Sequence, residues 1–83
     1  MVHELKQSKN KVVGLKQTVK VIKNNTASKV YIAQDADEYI KSTVMDAVKN
    51  TDIQIIYINT MKELGEACGI DIGASTAAIV NSI

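Results

Sequence analysis

Apolar positions along this 83-residue chain switch between two periods, and the switches divide it into short alternating elements. Residues 3–9 are polar and read as a short, frayed helix. Lys11-Val12-Val13 reads as a short strand ending at Gly14. From Gly14 to about Asn24, Leu15, Val19 and Ile22 recur at helical spacings, with Lys16, Gln17, Lys20, Lys23 and Asn24 on the opposite face. Asn24-Asn25-Thr26 is a turn signal. The β-branched run Lys29–Ala33 predicts a buried strand. Tyr39, Ile40, Thr43, Val44, Ala47 and Val48 then predict a helix of about three turns with that stripe buried.

The element ends are marked as well. Asp37 stands where a helix N-cap would, and Asn50-Thr51-Asp52 closes that helix. Ile53–Ile58 is another β-rich run. Thr60 with Glu63 three residues on matches a capping box, opening a helix over Met61–Cys68 that Gly69 ends in a left-handed cap. Residues 70–75 read as a loop and Thr76–Val80 as a final strand. The order is β-α-β-α-β-α-β, which predicts an α/β fold with helices on both faces of a largely parallel or mixed sheet. The length predicts a single domain over residues 1–83.

Composition narrows the class. With no Trp, no Phe and 46% hydrophobic residues, the core is built from Val, Ile, Leu and Ala. One cysteine cannot form an internal disulfide, the N-terminus has no apolar signal region, and no apolar run reaches the ~20 residues of a membrane span. A cytoplasmic protein is expected, without membrane association.

Enzymatic chemistry is missing from the pattern. There is neither a dinucleotide-binding GxGxxG nor a P-loop. Gly65, Gly69 and Gly73 flank a cap and a loop, which gives them a structural role. His3 stands alone as a metal ligand, and Cys68 reads as a small buried hydrophobe without a base to activate it. Asp35, Asp37 and Glu38 sit where acids favour the positive end of a helix, rather than as an acid–base pair. No catalytic residue, metal, cofactor or small-molecule substrate is expected.

Charge is unevenly distributed. Seven of ten lysines lie in residues 1–29 against one acid, Glu4, whereas residues 30–83 hold three lysines and eight acids. The first part is thus +6 and the remainder −5, although the whole is +1. Such segregation points to a polyanionic partner. The helix starting at Gly14 is the natural place for it. Its first amides lack partners within the helix and carry partial positive charge. Lys16 and Lys20 share a face one turn apart. Gln17 beside them offers two donors and an acceptor, enough to read a base edge as well as a charge.

Three collinear segments carry a resemblance. Gly14-Leu15-Lys16-Gln17-Thr18-Val19-Lys20 resembles the signature helix of the kink-turn RNA-binding ribosomal protein family, of the "L-seven-Ae" and "L-thirty-e" type. Val30-Tyr31-Ile32-Ala33-Gln34-Asp35-Ala36-Asp37 resembles its second strand and acidic turn. Met61 to Ala74 resembles its Lys-x-x-Leu-Gly-x-Ala-x-Gly helix and following loop. Together they cover about residues 11–80. Lys16-Gln17, where archaeal and eukaryotic members have Asn-Glu, resembles the short bacterial members.

The resemblance implies a three-layer α-β-α sandwich around a four-stranded mixed sheet. It also implies a non-enzymatic RNA-binding protein recognising kink-turns, sharply bent RNA with tandem sheared G·A pairs beside a bulge. Carried over by position, Gly14, Lys16, Gln17 and Lys20 are expected to contact guanines and phosphates. Ile70, Asp71, Ile72, Gly73 and Ala74 are expected to cover the flipped-out bulge nucleotide. Kink-turn RNA, ribosomal RNA included, is the expected partner of a monomer. The competing reading is a protein–protein interaction module of the same fold, with the acidic part docking a basic protein.

Overall fold

The computed structural model describes residues 10–81, so the helix expected over residues 3–9, and His3 with it, lies outside the described residues. Seven elements follow in the expected order: β1 (Lys11–Val13), α1 (Leu15–Lys23), β2 (Ala27–Ala33), α2 (Glu38–Val48), β3 (Gln54–Ile58), α3 (Met61–Cys68) and β4 (Thr76–Val80).

The four strands form one sheet in the order β1-β4-β2-β3. β4 runs antiparallel to both β1 and β2, while β2 and β3 are parallel. The sheet is therefore mixed, with antiparallel pairing in two of its three ladders, not largely parallel. The reason lies in the α3–β4 connection. It is a short loop that returns the chain alongside β2 in the opposite sense, whereas α2 has the length of a crossover between parallel strands.

Side-chain alternation on the two central strands sends one set to each face. Val30 and Ile32 of β2, with Ala78 of β4, join Ile22 of α1 and Val44 and Val48 of α2. Tyr31 and Ala33, with Ala77, join Leu64, Ala67 and Cys68 of α3. The architecture is thus the three-layer sandwich, with α1 and α2 on one face and α3 on the other. Buried Thr76 donates its hydroxyl to the Tyr31 carbonyl (2.7 Å), which keeps a polar side chain tolerable in the sheet interior. Cys68 is buried, as its place beside Ala67 implied; burial pushes its thiol pKa up, with Lys11 pulling weakly the other way.

Several details depart from the sequence expectation. β2 begins two residues earlier, at Ala27, and carries a bulge between Ala27 and Lys29. The most buried positions of α1 are Thr18 and Ile22, not a uniform Leu15–Val19–Ile22 stripe. Val19 is half-buried and lines the cleft between α1 and α2 with Lys23, Thr43, Asp46 and Ala47. In α2, burial runs along Ile40, Val44 and Val48, so Tyr39, off that line in the first turn, is 73% exposed. Asp37 occupies the N-cap of α2, but its carboxylate makes no capping bond.

The helix opening after β3 is capped as expected on one side. Thr60 Oγ1 accepts from the Glu63 amide (3.0 Å), and Gly69 takes the left-handed conformation that lets the Gly69 and Ile70 amides close onto the Glu66 and Gly65 carbonyls. The reciprocal bond of a capping box, in which the Glu63 carboxylate would accept the Thr60 amide, is absent among the described residues. The Met61 amide instead donates to Asp35 Oδ1 (2.7 Å).

The β1–α1 junction is a single residue. Gly14 has φ 101° and ψ 159°, a backbone region that only glycine enters freely, and its amide donates to the Thr76 carbonyl (2.8 Å). The sharp reversal lets α1 start directly from the sheet edge.

Two stability outcomes follow. Leu64→Ala, which empties a fully buried position under α3, should cost about 2–5 kcal/mol in a urea melt. Gly14→Ala should cost about 1–3 kcal/mol although an added Cβ would meet nothing within 4 Å, because the penalty is in the backbone.

Candidate nucleic-acid interface

The strand directions bring four connections to one end of the sheet. β1, β2 and β3 point the same way and β4 runs against them. The residues after β1, β2 and β3 and those before β4 therefore meet at the same edge, where open α/β sheets commonly place ligands. Backbone bonds tie the four together: Gly14 N–H to Thr76 O (2.8 Å), Ala33 N–H to Ser75 O (2.9 Å), and Gln34 N–H to Ile58 O (2.8 Å).

On one side of this end stands the start of α1. No side chain caps it, and its first turn holds no acid. The Gly14 carbonyl already accepts from Thr18 N–H (3.0 Å), so the orphan amides are those of Leu15, Lys16 and Gln17. Lys16, Gln17 and Lys20 are exposed, Gly14 and Leu15 half-exposed. Neither Lys16 nor Lys20 has an ion-pair partner among the described residues. Lys16 places a cation at the positive end of the helix dipole, which costs the free protein about 0.3–1 kcal/mol. A bound anion would convert that cost into attraction.

On the other side is the α3–β4 loop. Ile72 is 75% exposed, the highest value among the large apolar residues described, and Asp71 and Gly73 are exposed beside it. Ile70 is half-buried against the α3-side core. Ala74 is buried, with its amide donating to the Met61 carbonyl (3.0 Å), so this residue anchors the loop from below and does not show its side chain at the surface. The loop lies close on α3. A Cβ at Gly65 would strike the Ile72 carbonyl oxygen, and one at Gly73 would crowd Met61 Cβ at 3.3 Å. Gly65 and Gly73 thus serve close packing of helix and loop, the structural role their position implied.

The expected site residues therefore fall into two groups joined through one backbone bond. Gly14, Lys16, Gln17 and Lys20 lie on and beside the open helix end, and Ile70 to Ala74 lie on the loop running into the strand that bonds Gly14. The arrangement offers amide donors, two cations, a side-chain amide and an exposed apolar residue, a set suited to phosphate and base contacts. No cluster of three or more metal-ligating side chains occurs among the described residues, and no helix there is long and apolar enough to cross a membrane.

Sequence reasoning assigned Asp35 to the start of α2. The carboxylate in fact reaches the first amide of α3, 26 positions away in sequence, a pairing with no local spacing to reveal it.

The chain is similar to known RNA-binding proteins. An RNA-binding protein from Caldanaerobacter subterraneus subsp. tengcongensis is 51% identical over 70 residues, covering 84% of this chain and 85% of that protein. One from a Geobacillus species is 42% identical over 74 residues, covering 89% and 90%. Among solved structures, a 15.5 kD RNA-binding protein from Giardia lamblia superposes with a TM-score of 0.80 at 22% identity, over 98% of this chain and 68% of that one, which is a likeness of fold. Residues 1–82 match the model of one family over nearly the full length, and the chain belongs to it: the Ribosomal protein L7Ae/L30e/S12e/Gadd45 family.

Proposed function

We propose that this chain is an RNA-binding protein that recognises and stabilises kink-turn RNA at its tandem sheared G·A pairs. The observation that carries the proposal is the uncapped, exposed start of α1, with Lys16, Gln17 and Lys20 in solvent beside it. Relatives at 42–51% identity are named RNA-binding proteins, which supports the RNA-binding part of the reading.

In this reading α1 enters the widened groove at the G·A pairs. The amides of residues 15–17 and the ammonium groups of Lys16 and Lys20 meet phosphates, fixing register without reading sequence. Gln17 supplies the base-reading step through its amide. It accepts from guanine amino or imino groups and donates to guanine acceptors. Gly14 leaves the approach unobstructed, since nothing lies within 4 Å of where its Cβ would be. The loop then covers the extruded bulge nucleotide: Ile72 gives an apolar surface, and Asp71 and Gly73 give backbone contacts. The role is binding without catalysis, by a one-domain monomer in the cytoplasm. Ribosomal RNA is one candidate source of the kink-turn.

The proposal predicts tighter binding to kink-turn RNA than to a plain duplex of equal length and charge. Gln17→Ala should cost about 1–3 kcal/mol on RNA with intact G·A pairs and little on the duplex. Equal losses on both would remove Gln17 from base reading. Lys20→Ala should weaken binding and flatten the log–log salt dependence by roughly one. Fluorescence titrations at fixed magnesium and several salt concentrations measure both effects.

A further inference from the structure

The acid cluster after β2 has a use beyond starting α2. Asp35 Oδ1 accepts the Met61 amide at 2.7 Å, and Met61 is the first residue of α3. It is also the residue on which the α3–β4 loop is seated. The Met61 carbonyl accepts the Ala74 amide at 3.0 Å, and Gly73 lies so close that a Cβ there would come within 3.3 Å of Met61 Cβ. A chain of contacts thus runs from Asp35 through Met61 to Gly73 and Ala74, just behind exposed Ile72.

We infer that Asp35 is a positioning residue for the α3–β4 loop: by holding the first residue of α3 it sets the height at which Ile72 is presented. The inference rests on the proposed reading of that loop as the cover for an extruded nucleotide. Three features support a specific role rather than general acidity. The neighbouring acids do other things, since Glu38 pairs with Lys41 (3.0 Å) and Asp37 makes no capping bond to α2. Lys41 also donates to the Gln34 carbonyl (2.9 Å), which holds the residue before Asp35 from the α2 side. Thr60 already caps α3 through the Glu63 amide, so the Asp35 bond satisfies a second orphan donor and links two elements that the Thr60 cap does not. The required chemistry is an acceptor oxygen of aspartate reach; charge is secondary.

The test compares Asp35→Ala with Asp35→Asn, which keeps an oxygen acceptor at the same reach. Asp35 is exposed, so both variants should keep a cooperative urea transition. In the free protein, hydrogen exchange of the Met61 and Ala74 amides should quicken several-fold in Asp35→Ala and stay near wild type in Asp35→Asn. With RNA, Asp35→Ala should bind a kink-turn with an intact bulge nucleotide several-fold more weakly, because the loop that presents Ile72 is no longer held at one height. On the same RNA with an abasic bulge position the loss should vanish, which a merely destabilised protein would not show. Asp35→Asn should bind both RNAs as the wild type does. Unchanged exchange at Ala74 in Asp35→Ala, or equal weakening by both variants, overturns the positioning role and leaves the RNA reading standing. If the wild-type protein fails to prefer a kink-turn over a duplex, the RNA reading falls, and the exchange rates alone decide what Asp35 does.

Discussion

The amide of Gly14 donates to the carbonyl of Thr76, and the form of the candidate site depends on that bond. It joins the residue that follows β1 to the first residue of β4 at the end of the sheet. The chain must then turn into α1 at once, and it does so through a φ of 101° that other residues enter only at a cost. The residue that takes this φ is a glycine, and as the N-cap of α1 it has no side chain with which to cap the helix. An uncapped helix start is weakly unfavourable in the free protein and favourable beside an anion. Local geometry and proposed function thus share one cause.

The rest of the site is built by the sheet. Antiparallel β4 between β1 and β2 returns the chain so that the α3–β4 loop ends beside Gly14. The loop is held from two directions. Gly65 lets the Ile72 carbonyl lie directly on α3, and Met61 takes the Ala74 amide from below. The backbone is fixed by packing while the Ile72 side chain faces solvent. Preorganisation of this kind spares an entropic cost on binding, which suits the apolar contact with an extruded base that the proposed function assigns to Ile72.

Much of the fold was legible because each element carries its own punctuation. Thr60 with Glu63 and Gly69 bracket α3 within the residue range the structure shows, and the small β-rich run at residues 76–80 is β4. Sheet order was not legible from periodicity. Nothing in the spacing of apolar residues says that β4 inserts between β1 and β2; the alternation of elements left a largely parallel or a mixed sheet open, and the family resemblance implied the mixed one. Tyr39 was misplaced because its spacing fits a buried stripe, whereas burial depends on which residues the sheet end reaches. Thr18 was overlooked as a core residue because a hydroxyl is not counted apolar, although its position faces the sheet. The loop residues were identified by resemblance alone, and the tie between Asp35 and Met61 was invisible because no periodic rule spans 26 positions.

The central claim is that the open end of α1 and the α3–β4 loop engage one RNA together. Amide NMR of 15N-labelled protein tests it directly, by titrating kink-turn RNA against a control whose G·A pairs are replaced by Watson–Crick pairs. The account predicts that the amides of Leu15, Lys16 and Gln17 shift together with those of Ile70 to Gly73, saturating at the same RNA concentration, and that the control leaves both groups near their free positions. Unmoved amides at residues 15–17, or equal shifts with the control RNA, would contradict it.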